Sequence, residues 1–109
     1  MSRLAAGLWV AAYRKRLDLH GIACFVTRRG DETSGAVMVK LATMDGQAKL
    51  FQREFDLMTD TREWRVLVEG AEAEVDASAR KQAGFDPDLW LLEVEDRQGR
   101  HLLDEEGLQ

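Results

Sequence analysis

A chain of 109 residues with 45% hydrophobic and 32% charged side chains hides about two-thirds of its unfolded surface when it folds. That makes it a single globular domain, residues 1–109, and excludes a disordered chain or a miniprotein that needs disulfides. The net charge is −5 with one cysteine, Cys24. Such a chain forms no internal disulfide and suits a reducing compartment.

The charge is uneven. Residues 1–29 hold six basic side chains (Arg3, Arg14, Lys15, Arg16, Arg28, Arg29) against Asp18 alone, for +5, and the rest of the chain carries −10. This dipolar layout gives two copies an electrostatic reason to meet. It does not predict a nucleic-acid surface, because the overall balance is acidic. No apolar run reaches signal-peptide or membrane-span length, so the expected location is cytoplasmic and no membrane partner is expected.

Gly7 to His20 reads as an amphipathic helix with Trp9, Ala12, Tyr13, Arg16, Leu17 and His20 on one stripe, and Gly21 as its left-handed cap. Ile22 to Thr27 is an apolar strand ending in the Arg28-Arg29-Gly30-Asp31 turn. Ala36–Ala42 and Gln47–Gln52 flank Asp45-Gly46, the strongest short-range hairpin signal. A two-residue loop there pairs Leu41 with Leu50 and Val39 with Gln52. It puts Val37, Val39, Leu41, Ala48 and Leu50 together on a core face, with Met38, Lys40, Lys49, Phe51 and Arg53 opposite.

Residues 55–63 read as irregular, rich in Asp and Thr. Trp64 to Val68 is a short strand with edge character. Ala71 to Ala83 is a second helix with acids first, bases last and Gly84 as cap. Phe85-Asp86-Pro87-Asp88 is a turn that opens into Leu89-Trp90-Leu91-Leu92-Glu93-Val94, apolar on both faces at its start. That is how a doubly covered central strand reads. Arg97-Gln98-Gly99-Arg100 turns the chain, and His101-Leu102-Leu103 is expected to pair back. The fold class is therefore α/β, or α+β, with a mixed sheet of about five strands and two helices packed on it.

Several segments resemble a known family: Leu8-Trp9-Val10 with Tyr13, the Arg28-Arg29-Gly30-Asp31 turn, Ser34-Gly35-Ala36-Val37 leading to Lys40, Asp45-Gly46, and Phe85 through Asp96. The chain resembles, over nearly its whole length, a small bacterial family seen mainly in alphaproteobacteria and known as a domain of unknown function. The resemblance implies a single-domain α/β protein and carries no activity with it.

Arg28, Arg29 and Asp31 are the candidate ligand residues. Two guanidiniums beside a glycine at a strand end can hold a phosphate or carboxylate, and the backbone that follows offers N–H donors. Asp86, Asp88, Glu93, Glu95 and Asp96 are spread along an extended chain rather than converging, so no metal site is expected. Cys24 reads as an inert core thiol, and His20 and Cys24 are too few for zinc. No nucleophile elbow or phosphate loop appears, so no catalytic residue is assigned, no cofactor is expected, and the reading leans away from an enzyme. Trp64 is the candidate interface anchor. The leading expectation is a non-catalytic binding protein whose partner is another protein or a second copy in a weak homodimer. The alternative is a binder of, or enzyme on, a small anion at the Arg28-Arg29 turn.

Overall fold

The computed structural model describes residues 4–108; Arg3, which contributes to the basic N-terminal charge, lies outside them. The elements run α1 (Ala6–Leu19), β1 (Ala23–Arg28), β2 (Val37–Ala42), β3 (Gln47–Asp56), β4 (Thr61–Ala71), α2 (Glu72–Phe85) and β5 (Trp90–Glu95). The five strands form one sheet in the order β1-β5-β2-β3-β4. Only β2 and β5 pair in parallel; the other neighbours are antiparallel. The mixed sheet with two helices is as expected, in its α+β form.

Both sheet faces are covered. Trp9, Val10, Tyr13 and Leu17 of α1 pack on Val39, Leu41, Phe51, Leu92 and Val94. Val75 and Ala79 of α2 pack on Met38, Leu50 and Leu89. Leu89, Trp90, Leu92 and Val94 are all buried, as expected of an interior strand with alternate side chains serving opposite layers. The apolar stripe of α1 is rotated from the expected one. Ala6, Trp9, Val10, Tyr13 and Leu17 are buried, whereas Ala12 and His20 are exposed and Arg16 is half-buried. The helix closes as expected at Gly21 (φ 70°). The N–H of Ile22 donates to Leu17 O at 2.9 Å and that of Gly21 to Asp18 O at 3.0 Å, which is a Schellman closure.

The β2–β3 register differs from the expected one by a single residue. Val39 faces Phe51 and Leu41 faces Lys49, because the N–H of Thr43 donates to Gln47 O at 3.2 Å and leaves a three-residue loop, Met44-Asp45-Gly46. Both Met44 (φ 66°) and Gly46 (φ 88°) adopt left-handed backbone. One residue of slip exchanges the faces of β3. Phe51 thus joins Val39 under α1, while Ala48 and Leu50 turn to α2.

The segment expected to be irregular is instead a long hairpin. β3 and β4 pair without a break from Arg53↔Trp64 to Asp56↔Thr61, with a four-residue turn, Leu57 to Asp60. Its Asp and Thr side chains serve that turn, since the N–H of Met58 donates to Asp56 Oδ1 at 2.9 Å. Gly84 lies inside α2, whose cap is Asp86. His101–Leu103 is not a strand. The tail instead buries Leu103 and Leu108 in the α1-side core.

Candidate functional site

The Arg28-Arg29-Gly30-Asp31 turn is wired into the fold. The Asp31 N–H donates to Asp88 O (3.0 Å), and Asp31 O accepts the Trp90 indole N–H (2.8 Å). The Asp31 carboxylate accepts the Ser34 N–H, the Ser34 hydroxyl and the Thr33 N–H. Those Ser34 bonds, then Thr33, hold its carboxyl below the usual carboxylate range. A Cβ on Gly30 or Gly35 would collide with the Asp88 carbonyl, so glycine at both positions permits this close approach of backbone to backbone.

Arg29 pairs with Glu32, and its guanidinium lies 5.7 Å from the Trp90 ring centroid. Arg28 donates through Nη2 to Pro87 O at 3.1 Å. The side chains of the three candidate ligand residues thus bond to different groups, and the donors that would cradle an anion, Thr33 N–H and Ser34 N–H, are turned onto Asp31.

Asp86 accepts the Asp88 N–H at 3.0 Å, Glu93 joins Lys40, and Asp96 pairs with Arg100. Among the described residues no three His, Cys, Asp or Glu side chains gather as a metal site. Cys24 is half-buried. Burial pushes its thiol up to about 11, against a smaller opposing pull from Arg14, so little thiolate is present at neutral pH.

Three features were not legible as sites. The first is Lys40, whose side chain is 8% exposed. Its Nζ contacts Asp76 at 2.6 Å, Glu72 at 3.0 Å and Glu93 at 3.1 Å. Burial opposes the charge, but the Asp76, Glu72 and Glu93 carboxylates outweigh it and hold the ammonium above its ordinary range. The cluster ties α2 to β2 and β5. A lysine among valines in β2 was its only sequence signal.

The second is the overhang of the β3–β4 hairpin. β2 accompanies β3 only to Met38↔Gln52, so from Arg53 onward the hairpin is an arm without that neighbour. Phe55, Leu57 and Met58 are exposed at its end. Trp64 stands at its root, half-buried, with its indole N–H donated to Leu108 O at 2.7 Å and its ring 5.3 Å from that of Trp9.

The third is a cleft of about 430 Å³ where the arm leaves the sheet, lined among others by Leu4, Trp9, Ser34, Arg53, Arg62 and Gln82. The Arg53 guanidinium lies 4.8 Å from the Trp9 ring and 4.7 Å from the Trp64 ring. Trp9 is buried, and its Nε1 donor meets no acceptor among the described residues.

The fold and much of the sequence are shared with proteins already solved. A DUF1491 protein from Caulobacter crescentus CB15, determined by crystallography, is 40% identical over 94% of each chain, with a TM-score of 0.83. An NMR structure of a DUF1491 protein from the same organism is 39% identical over 96% of each chain, with a TM-score of 0.82. A protein from A. tumefaciens, solved in solution, is 26% identical over 86% of each chain, with a TM-score of 0.73. No curated protein matches the chain. A family model described as "protein of unknown function (DUF1491)" matches residues 4–104. The chain therefore belongs to the DUF1491 family, the alphaproteobacterial family of unknown function that its segments resembled.

Proposed function

We propose that the chain is a non-catalytic cytoplasmic interaction protein whose contact element is the β3–β4 arm, seated in the α1–β1 groove of a second copy. The observation that carries this reading is the arm itself. Leu57 and Met58 are 85% and 93% exposed, with Phe55 beside them, on a paired two-stranded base rather than a loose loop. Large apolar side chains grouped in the open mark contact surfaces.

The groove between α1 and β1 has about 530 Å³ and is lined by Ala11, Arg14, Lys15, Ile22 and Phe25, among others. Its bases complement Asp56 and Asp60 at the arm's tip, which carries the dipolar charge of the whole chain into one contact. Made reciprocally, the contact closes a twofold dimer. Simple pairing of the β4 edges is less favourable, because a bulge lies in β4 opposite Leu50 and Phe51 and bulges blunt edges. Trp64, at the root of the arm, would sit near such a contact. The unpaired Cys24 thiol supports the cytoplasmic part of the reading.

The alternative, a small anion at Arg28, Arg29 and Asp31, has less behind it, since Glu32 already offsets Arg29. Sedimentation at high micromolar concentration tests the proposal. The wild type is expected to be a monomer–dimer mixture that shifts towards monomer at high salt. The Leu57→Ser/Met58→Ser variant is expected to be monomeric. A wild type that stays monomeric at both salt concentrations overturns it.

A further inference from the structure

We infer that the arm is recognised by strand addition: its open β3 edge at Phe55 pairs in parallel with the open edge of β1, between Cys24 and Val26, in the second copy. The inference rests on the arm-and-groove reading above and specifies the main-chain bonds of that contact.

The direction of each backbone group follows from the ladders. The N–H groups of Trp90 and Asp96 donate to Ala36 O (2.9 Å) and Ala42 O (3.0 Å), towards β2. Successive residues of a strand send their N–H and C=O to opposite edges. Those of Glu93 and Glu95 therefore go to β1, where they meet Phe25 and Ala23. Cys24 and Val26 are left with N–H and C=O turned outward. β1 is the last strand on that side of the sheet, and neither residue makes a further backbone bond among the described residues.

The same alternation places Phe55. Thr43 N–H donates to Gln47 O, so the odd-numbered residues of β3 address β2, which stops at Met38↔Gln52. The bulge adds its extra residue to β4 and leaves the alternation of β3 unbroken. Phe55 lies on the β2 side beyond the end of β2, with its N–H and C=O pointing away from the arm.

One outward residue fits between two. In a parallel ladder a residue bonds to the partners before and after the one it faces, so Phe55 N–H meets Cys24 O and Val26 N–H meets Phe55 O. This sets Phe55 beside Phe25, two aromatic rings that are 54% and 50% exposed in the single copy. It turns Asp56 to the face of β1 that α1 covers, where Arg14 and Lys15 border the groove. Glu54 lies on that face too, already offset by Arg65. Antiparallel pairing would exchange the faces and carry Asp56 away from those bases. In strand addition the main-chain bonds supply affinity and the side chains selectivity.

The test is amide hydrogen exchange, read by ¹⁵N NMR at protein concentrations below and above the sedimentation midpoint. The Phe55 and Val26 amides are expected to exchange about tenfold or more slowly in the associated state. The Phe25 and Glu54 amides, bonded inside each copy, are expected to change little. Phe55→Pro removes the outward N–H and no bond of the arm, since proline is tolerated on an open strand edge. It is expected to sediment as a monomer at high micromolar concentration, whereas Phe55→Leu, which keeps the N–H, still associates. Protection of the Glu54 amide in Phe55→Pro shows that the arm is intact.

A dimer whose Phe55 and Val26 amides exchange as fast as in the monomer overturns the inference and leaves the arm-and-groove reading standing. So does equal association by the proline and leucine variants. A wild type that stays monomeric at low and high salt overturns both.

Discussion

His101 shows how much a single side chain contributes to closing this fold. Its ring lies 4.7 Å from that of Phe51, and its Nδ1 accepts the Leu103 N–H at 3.0 Å, which requires that nitrogen to be unprotonated. Burial depresses its pKa, with Asp104 opposing and Lys49 adding slightly. A histidine whose folded pKa is lowered contributes stability that is complete above its unfolded value, about 6.5, and lost as pH falls below that value. Urea midpoints should therefore decline between about pH 7.5 and 5.5. His101→Asn, which can accept the same N–H, should flatten that decline. An equally steep profile in the variant would assign the effect elsewhere. The carboxylates of Asp31, Asp45 and Asp96, held below their ordinary values by hydrogen bonds, act only at more acidic pH. Arg28 and Arg29 were legible as a cationic pair at a strand end, but not their partners Pro87 and Glu32, because hydrogen bonds across a turn depend on where the backbone brings it.

At the scale of elements, β5 was the most legible and β3 the least. Leu89 to Val94 announced a doubly covered strand because its apolar residues run without alternation. Leu92, buried against the α1 side, should cost about 2–5 kcal/mol when changed to alanine, as read from urea unfolding. A loss below about 1 kcal/mol would mean that the central strand is not carrying the core. The β2–β3 hairpin was visible from Asp45-Gly46, yet its register was not. Two- and three-residue loops both accept that dipeptide, and β3 offers apolar residues to either face. The α1-side core takes Phe51 and the α2-side core takes Ala48 and Leu50, and only the packing of both helices selects between the two registers. The arm escaped notice for a related reason. Apart from Phe55 and Trp64, its residues 53–56 and 61–64 are polar, so the alternation that marks a half-buried strand is absent.

For the whole molecule, the C-terminal tail is the closing piece. Tyr13 donates its hydroxyl to His101 O at 2.7 Å, Arg16 donates to Glu106 O at 2.9 Å, and Leu103 and Leu108 are fully buried. Leu103→Ala or Leu108→Ala should each cost about 2–5 kcal/mol. A chain ended after Arg100 loses both leucines together, a sum comparable to a typical domain's entire stability of about 5–15 kcal/mol. It should therefore show no cooperative thermal transition; a sharp transition near that of the full chain would show the tail to be dispensable. By itself the sequence determined the five-strand, two-helix make-up, the interior place of β5 and the family, because these follow from local periodicity, turn residues and near-continuous resemblance. Tertiary structure alone decided the β3 register, the burial of Lys40 among three carboxylates, and the cleft where Trp9, Arg53 and Arg62 meet. Each of these joins residues far apart in the chain, and a contact that depends on two helices, a sheet and a tail arriving together leaves no local mark in the sequence.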